Sequence, residues 1–480
     1  MPLNYDGSYV DASQYRSIYD LEDSVFCGKR VPKTETYSCQ GAPPGMKCGG
    51  VATIYNMIPG GGEKYLLSYI RSMQRSGYFV DLLVLPTNAC QEWSCLIQTA
   101  KALNVPLDFN RLAIRTVSRN TTHLDTGDIK YDLFSLIGNT KTPAFVGSGH
   151  KNIYLNQFPF DGTRVETGRD IMIMNSYHRI IFNSLYTHTW YNAYTKGLFK
   201  YMQLKGLSTP IREHVYPPVT LSSTGYTSKE LQKVREPWIL LTGRFFDGIQ
   251  GKRHIEAIQV FKLLKNMISG NSKVIEESAE ERSTTQVHRS RQDRKHKELQ
   301  TREYQANSDR TLQNAQLFLV GYQMSGQKAK QYVDSIRQAA KKVDGVHILV
   351  NVSSSALKAL QQKTSIVWSL TGGLAGNPLE GQHKNNPADA EHFGISVVEA
   401  MSAGNIPIVT KKGGLLEIMR NESNQVASSS YEMALKTKLF LTMAEQDMHR
   451  RRVWARQTSE LFGDNHFYDN MNKIIASTQV

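Results

Sequence analysis

Two glutamates eight residues apart, Glu391 and Glu399, carry the most specific chemical signal in the chain. They belong to the run Glu391-His-Phe-Gly-Ile-Ser-Val-Val-Glu399-Ala-Met-Ser-Ala-Gly404, which leads into Ile-Pro-Ile-Val-Thr410 and the pair Gly413-Gly414. Apolar spacing over 395–403 predicts a helix closed by Gly404. Glu391 falls just before it, at the end of a stretch rich in Gly, Asn and Pro (371–390). The first amides of such a helix, near Phe393, Gly394, Ile395 and Ser396, have no intrahelical partners and lie at the positive end of the helix dipole. Donors so placed suit sugar hydroxyls or a diphosphate. Gly394 lets a ligand come close to the backbone. Glu399, about two turns further along, can accept two hydroxyl hydrogen bonds, as a carboxylate does when it reads a ribose diol. An isolated pair at this spacing is ordinarily a helix-end charge and a surface charge. The surrounding HFG, helix end, buried strand and Gly-Gly turn give this pair its meaning.

A parallel sheet is the scaffold that places helix starts and loop carboxylates at one edge. Residues 51–58 read as a buried strand, Pro59-Gly60-Gly61-Gly62 as a tight loop and 63–76 as an amphipathic helix. Further strands are expected at 79–85, 112–117, 144–147, 153–158 and 179–183, with a helix at about 91–103. A Pro-marked linker, His214-Val-Tyr-Pro-Pro-Val219 and on to residue 228, interrupts the rhythm. It then restarts, with strands at 238–242, 317–321, 346–350, 366–369 and 406–410 and helices at 252–268, 327–342 and 354–362. The expected class is α/β: two facing, doubly wound Rossmann-like domains with the ligand cleft between them. The expected boundaries are 1–45 for an N-terminal extension, 46–222 and 223–455 for the two domains, and 456–480 for a C-terminal helix crossing back to the first.

Composition narrows the classes. The chain has 480 residues, 40% apolar and 21% charged, which excludes wholesale disorder, collagen-like repeats and coiled coil. No apolar run approaches the roughly 18–20 residues of a membrane helix. The start, Met1-Pro-Leu-Asn-Tyr-Asp, lacks the basic and apolar regions of a secretory signal. Five cysteines without a C-x-x-C pair argue against a common zinc site and, in a cytoplasmic protein, are expected to be free thiols. A net charge of +14 favours an anionic partner, whether nucleic acid, an acidic membrane surface or a phosphorylated small molecule. The insert at 272–312 is nearly balanced, with nine basic and eight acidic residues over 273–310, although 282–297 is locally basic. It reads as a solvated surface segment, and its lack of interleaved aromatics weakens a nucleic-acid reading.

The stretch from 391 to 414 resembles the retaining glycosyltransferases of family 4, and is close to the mannosyltransferases that build dolichol-linked oligosaccharide. The resemblance covers most of 46–475 and implies the two-domain GT-B architecture. By it, Glu391 contacts the donor sugar near its reacting face and Glu399 holds the nucleotide ribose. Thr242-Gly243-Arg244 followed by Lys252 resembles the family's Arg and Lys pair, with Arg244 at a strand end and Lys252 at a helix start, both converging on one diphosphate. Gly61 and Gly62 resemble the glycine loop beside donor and acceptor. In Tyr154-Leu-Asn-Gln157-Phe-Pro159, Gln157 occupies a position where the family often has histidine, so a neutral hydrogen bond to the donor is expected there. His150, His178, His188 and His392 form no metal or triad spacing, Ile171 to Met174 read as core, and Tyr177 and Tyr322 are candidates to approach the cleft.

The reaction implied is transfer of a sugar from a GDP- or UDP-linked donor to a hydroxyl of a glycan, glycolipid or protein-linked acceptor, with anomeric configuration retained. The leaving diphosphate would take the acceptor's proton, and Arg244 and Lys252 would supply the countercharge that a metal gives other transferases. No metal or cofactor is expected, and peripheral contact with an anionic membrane is. Two rivals fit less of the sequence: a nucleotide-sugar epimerase on the same scaffold, and a nucleic-acid-binding protein with a degenerate transferase fold. The complete Arg244, Lys252, Glu391 and Glu399 set argues against degeneracy.

Overall fold

The computed structural model describes residues 39–478 except 40–41, 44, 58–59, 89–90, 128, 159–167, 223–230, 232, 249, 269–311, 324–325, 375–386 and 421. Most of the expected N-terminal extension, the charged insert, Pro59, Pro159, Cys27, Cys90 and much of the 371–390 stretch lie outside the described residues. The chain divides into two units, Met1–Thr220 with Leu461–Val480, and Leu221–Glu460.

In the first unit seven strands form one sheet: β1 (Lys47–Thr53), β2 (Tyr78–Val84), β3 (Leu112–Thr116), β4 (Tyr131–Gly138), β5 (Gly149–Asn156), β6 (Arg179–Phe182) and β7 (Ile211–His214). Their order is β3-β2-β1-β4-β5-β6-β7 and every pairing is parallel. Strand β2, Tyr-Phe-Val-Asp-Leu-Leu-Val, is buried at all seven positions. Burial on both faces is why these strands read as apolar runs and not as alternating patterns. The helix Gly61–Arg75 follows β1 and presents Tyr65, Leu66, Tyr69, Ile70 and Met73 to the core. The last helix, Asp464–Thr478, packs on it, with Phe467 edge-on to Tyr65 at 5.1 Å between ring centroids.

The second unit repeats the scheme with β8 (Glu236–Thr242), β9 (Gln316–Gly321), β10 (Val346–Val350), β11 (Thr364–Ser369), β12 (Ile406–Thr410) and β13 (Val426–Ala427). Their order is β10-β9-β8-β11-β12-β13, again wholly parallel. Progression along the chain runs outward one way from β8 and the other way from β11. The crevice beyond their carboxyl ends is therefore the topological switch point, where open α/β sheets bind ligands.

Several sequence expectations need correction. Residues 144–147 are not a strand; the strand is Tyr131–Gly138, whose Tyr-Asp-Leu-Phe-Ser-Leu-Ile-Gly mixes polar residues into a buried run. The structure adds the helix Leu185–Leu204 and strand β7, which the sequence pattern does not predict. Met172 is exposed, whereas Ile173 and Met174 are core. Tyr177 is buried and its hydroxyl donates to the Phe145 carbonyl at 2.9 Å, so it supports the core and reaches no open site. The thiols are not all free. Cys39 and Cys48 form a disulfide with Cα atoms 5.4 Å apart, and Cys95 is also disulfide-bonded. The chain returns within nine residues to lay Cys39 beside β1, where its amide donates to the buried Asp81 carboxylate at 3.4 Å. A nine-residue spacing alone carries no pairing signal. Among the described residues no helix is long and apolar enough to cross a membrane.

Candidate functional site

The switch point of the second unit holds a compact polar cluster. Strand β8 ends at Thr242, and Gly243 follows with a positive φ of 155°. A Cβ on Gly243 would run into the Lys252 side chain, so glycine here lets the lysine stem lie across the strand end. The Lys252 ammonium reaches the β11 side, donating to Thr371 Oγ1 at 3.3 Å and pairing with Glu391 Oε2. Thr371 Oγ1 in turn donates to Glu391 Oε2 at 3.2 Å. The Glu391 side chain is 15% exposed and that of Lys252 20%, so both are largely enclosed yet open to a small ligand. Burial pushes the Glu391 carboxyl up, but the Lys252 charge and hydrogen bond, with His392 and Thr371 adding to them, more than reverse this. The net shift is downward, and Glu391 stays ionised at neutral pH.

Backbone bonds fix this carboxylate. The Gly414 amide donates to the Glu391 carbonyl at 2.8 Å, and the Thr410 hydroxyl donates to the Thr371 carbonyl at 2.9 Å, tying the ends of β12 and β11 together. Gly394 caps the helix Ile395–Ser402 with φ 112°, a left-handed conformation that needs glycine. Phe393 is buried and Ile395 half-buried, so their expected contribution is through backbone at the helix start. Glu399 is half-buried, one turn before the helix end, and its carbonyl accepts from Ser402 Oγ at 2.7 Å.

Lys252 does not open its helix, as its sequence suggested. The helix is His254–Ile268, and Gln250 and Arg253 before it take φ of 63° and 56°. Asp389 holds this unusual loop: its Oδ1 accepts from the Gln250 amide at 3.2 Å and its Oδ2 pairs with Arg253 at 2.5 Å. The left-handed Arg253 breaks helical continuity and turns Lys252 toward Glu391. Sequence reasoning missed Asp389 and Thr371. Asp389 stands two residues before Glu391, but nothing in spacing ties it to residues 136 or more positions upstream. Thr371 had one weak signal, its place just after a wholly buried strand.

Arg244 is exposed, its guanidinium 5.4 Å from the Phe246 ring, and no described hydrogen bond joins it to the Lys252–Glu391 pair. In the first unit, Gly61 and Gly62 form the first turn of the helix Gly61–Arg75 and not a loop; Gly60 is its cap. Gln157 follows β5. Its amide donates to the Gly138 carbonyl at 3.0 Å and its own carbonyl accepts from Asn183 at 3.1 Å. Its Nε2 is buried with no hydrogen-bond partner among the described residues. Among the histidines, His178 Nδ1 accepts from the Asn152 amide at 3.1 Å and His188 stacks on Phe182, both structural arrangements. His150 is exposed and His392 is buried beside Glu391.

His254, beneath the cluster, is fully buried, packed on Phe245 with Nδ1 3.4 Å from the Tyr332 hydroxyl. Burial, with the Lys252 charge adding to it, brings its pKa down from 6.5 to about 3. The folded protein therefore keeps the ring neutral while the unfolded chain protonates it below its ordinary value. Stability from this group is complete above about pH 6.5 and declines as pH falls toward 3. Replacing His254 by Phe removes that dependence, so the loss in unfolding free energy between pH 7 and pH 4.5 should shrink by roughly 2–3 kcal/mol. Urea titrations of both proteins at the two pH values measure it, and equal pH slopes refute it.

Residues 271–458 match the family described as glycosyl transferases group 1. That match contains Glu391 and Glu399 and leaves Arg244 and Lys252 outside it. Over 167 residues, 34% of this chain, the sequence is 29% identical to a Dictyostelium discoideum GDP-Man:Man(3)GlcNAc(2)-PP-Dol alpha-1,2-mannosyltransferase, and the match spans 29% of that protein's length. Among solved structures, a glycosyltransferase from Rickettsia africae superposes with TM-score 0.51 at 11% identity, covering 90% of this chain and 99% of the other. The Anabaena protein HepE, in complex with UDP and glucose, gives 0.51 at 13% identity with the same coverages. The N-terminal domain of Candida albicans trehalose-6-phosphate phosphatase gives 0.54 at 8% identity, covering 95% and 99%. At such identities the likeness is one of fold, and it agrees with the GT-B class expected from the sequence.

Proposed function

We propose that this protein transfers a sugar from a nucleoside-diphosphate donor to an acceptor hydroxyl, with retention at the anomeric carbon. The reading rests on one observation above all: Lys252, Thr371 and Glu391 meet at the switch point of a doubly wound sheet, beside a glycine-capped helix start. A diphosphate in that crevice would draw Lys252 away from Glu391 and toward its own oxygens, with Arg244 able to swing in from the strand end. The two cations would stabilise charge as the bond from the anomeric carbon to the leaving oxygen breaks. The acceptor oxygen bonds to that carbon from the same face, and its proton passes to the departing diphosphate. Glu391, released from its lysine, would support positive charge on the sugar ring. Glu399 would hold the ribose.

GDP-mannose is the favoured donor on the strength of the Dictyostelium relative's name, with UDP-sugars next. The favoured acceptor is a glycan, in lipid-linked or other form. A transferase without a resident metal is the simplest form of this scheme. The test is incubation of the full chain with each nucleotide sugar, with and without soluble oligomannose acceptors, followed by proton NMR of the new anomeric signal. A product with the donor's anomeric configuration, formed only when acceptor is present, supports the proposal. An inverted product removes the retaining mechanism, and conversion of donor alone to a stereoisomeric sugar would establish the epimerase instead.

A further inference from the structure

The helix Leu185–Leu204 in the first unit faces outward with an unusual surface. Its inward stripe, Thr187, Tyr191, Thr195, Phe199 and Met202, is buried against the sheet. Its outward side carries Trp190 at 36% exposed, Tyr194 at 43% and Tyr201 at 46%, with Leu204 at 76% near the end. Tyr186, Trp190 and Tyr194 follow one another at four-residue spacing, their ring centroids 6.4 and 5.7 Å apart. The twenty residues of this helix contain no aspartate or glutamate, and Lys196, Lys200 and the following Lys205 are exposed. From the loop after β4, Lys141 sets its ammonium 5.1 Å from the Tyr194 ring, and Lys205 lies 5.7 Å from that of Tyr201. Of the nearby carboxylates, Glu213 pairs with Arg179 at 2.5 Å, and Asp170 accepts from the hydroxyl of Thr142, the neighbour of Lys141, at 3.3 Å.

We propose that this face is where the protein docks on an anionic bilayer surface. Tyrosine and tryptophan rings settle at the boundary between headgroups and acyl chains, apolar body inward and polar edge in water. Lysines beside them bury their stems and keep ammonium groups at the level of the lipid phosphates. Protein–protein interfaces, by contrast, are depleted in lysine. A row of rings flanked by Lys141 and Lys205, on a helix that also exposes Lys196 and Lys200 and carries no acid, matches the charge of an acidic leaflet. The inference stands apart from the sugar-transfer reading, because no residue in it belongs to the Lys252–Glu391 site.

The test uses the full chain and vesicles of phosphatidylcholine with or without roughly one-third phosphatidylserine. Wild-type protein should sediment with the acidic vesicles and hardly with the neutral ones. The exposed double variant Lys196→Glu, Lys200→Glu should partition at least about tenfold less, with an unchanged circular dichroism spectrum. Brominated acyl chains should quench part of the tryptophan emission, and the quenched part should vanish in Trp190→Phe. Equal binding to both vesicle types, undiminished binding by the double variant, or quenching that survives Trp190→Phe overturns the proposal. So does a protein that ignores acidic vesicles but forms a dimer broken by Trp190→Ser, which would make the face a contact between copies. Protection of Trp190 by a soluble oligosaccharide, without lipid binding, would make it a glycan surface.

Discussion

Lys252→Ala should lower kcat/KM by on the order of 10²–10³-fold, the usual cost of removing one donor aimed at developing charge in an enclosed site. The alternative, a lysine that merely neutralises Glu391, predicts a different pattern. In that case the variant loses stability but keeps its affinity for nucleoside diphosphate. The two are separable because Lys252 is paired with Glu391 in the free protein, whereas the proposed mechanism turns its ammonium to a diphosphate. The variant should also become acid-sensitive. In the wild type the lowered Glu391 pKa means its carboxylate contributes stability above its ordinary range, and that contribution is lost only as pH falls through the lowered value. Without Lys252 the burial that pushes the carboxyl up is left less opposed, so protonation moves to higher pH. Arg244→Ala, at an exposed position, should slow turnover by about tenfold or more without changing the unfolding midpoint. Calorimetry with nucleoside diphosphate, beside steady-state rates, decides the matter. Wild-type turnover with unchanged donor KM in Lys252→Ala would refute the assignment.

The parts legible in the sequence are those whose physics is local. Strands β2, β11 and β12 announce themselves because both faces are buried and their residues are apolar or small, with Asp81 the one charge among them. The helix Ile395–Ser402 is readable from its apolar spacing and from glycines on either side. Glu391 stands out because it precedes that helix. Strand β4 escapes because Asp132 and Ser135 interrupt its pattern. Asp132 is exposed and accepts from the Cys48 amide, and the buried Ser135 is satisfied by a hydrogen bond with the Tyr69 hydroxyl at 2.6 Å. The helix Leu185–Leu204 escapes because aromatic residues face both inward and outward, which blurs its period. Asp389 escapes for another reason. Its function in the fold is to close a contact with residues 250 and 253, and sequence separation hides such contacts until two strands of one sheet bring them together. The cysteine pairing belongs to the same class, since chain geometry at the entry to β1 makes it.

The two glutamates should separate cleanly when each is changed. Glu391→Gln keeps size and hydrogen bonding but removes a negative charge that would favour an oxocarbenium-like transition state, so kcat should fall by about 10²–10³-fold. Nucleoside diphosphate affinity should not fall with it. In the free protein Glu391 occupies the Lys252 ammonium, and a neutral amide competes for that cation less well than a carboxylate does. Binding of free nucleoside diphosphate by Glu391→Gln should therefore equal or exceed that of the wild type. Glu399 lies inside the helix, about one turn past its start, and would grip the ribose in ground and transition states alike. Its loss removes uniform binding, so Glu399→Ala should raise donor KM and weaken nucleoside diphosphate binding by about tenfold while kcat stays within roughly threefold. Isothermal titration with the nucleoside diphosphate and kinetics for both variants supply the four numbers needed. If Glu391→Gln abolishes nucleotide binding while Glu399→Ala leaves it untouched, the two roles are reversed. If both variants bind and turn over normally, the crevice beyond β8 and β11 is not the donor site, and the Lys252–Glu391 pair serves only to close the ends of the sheet.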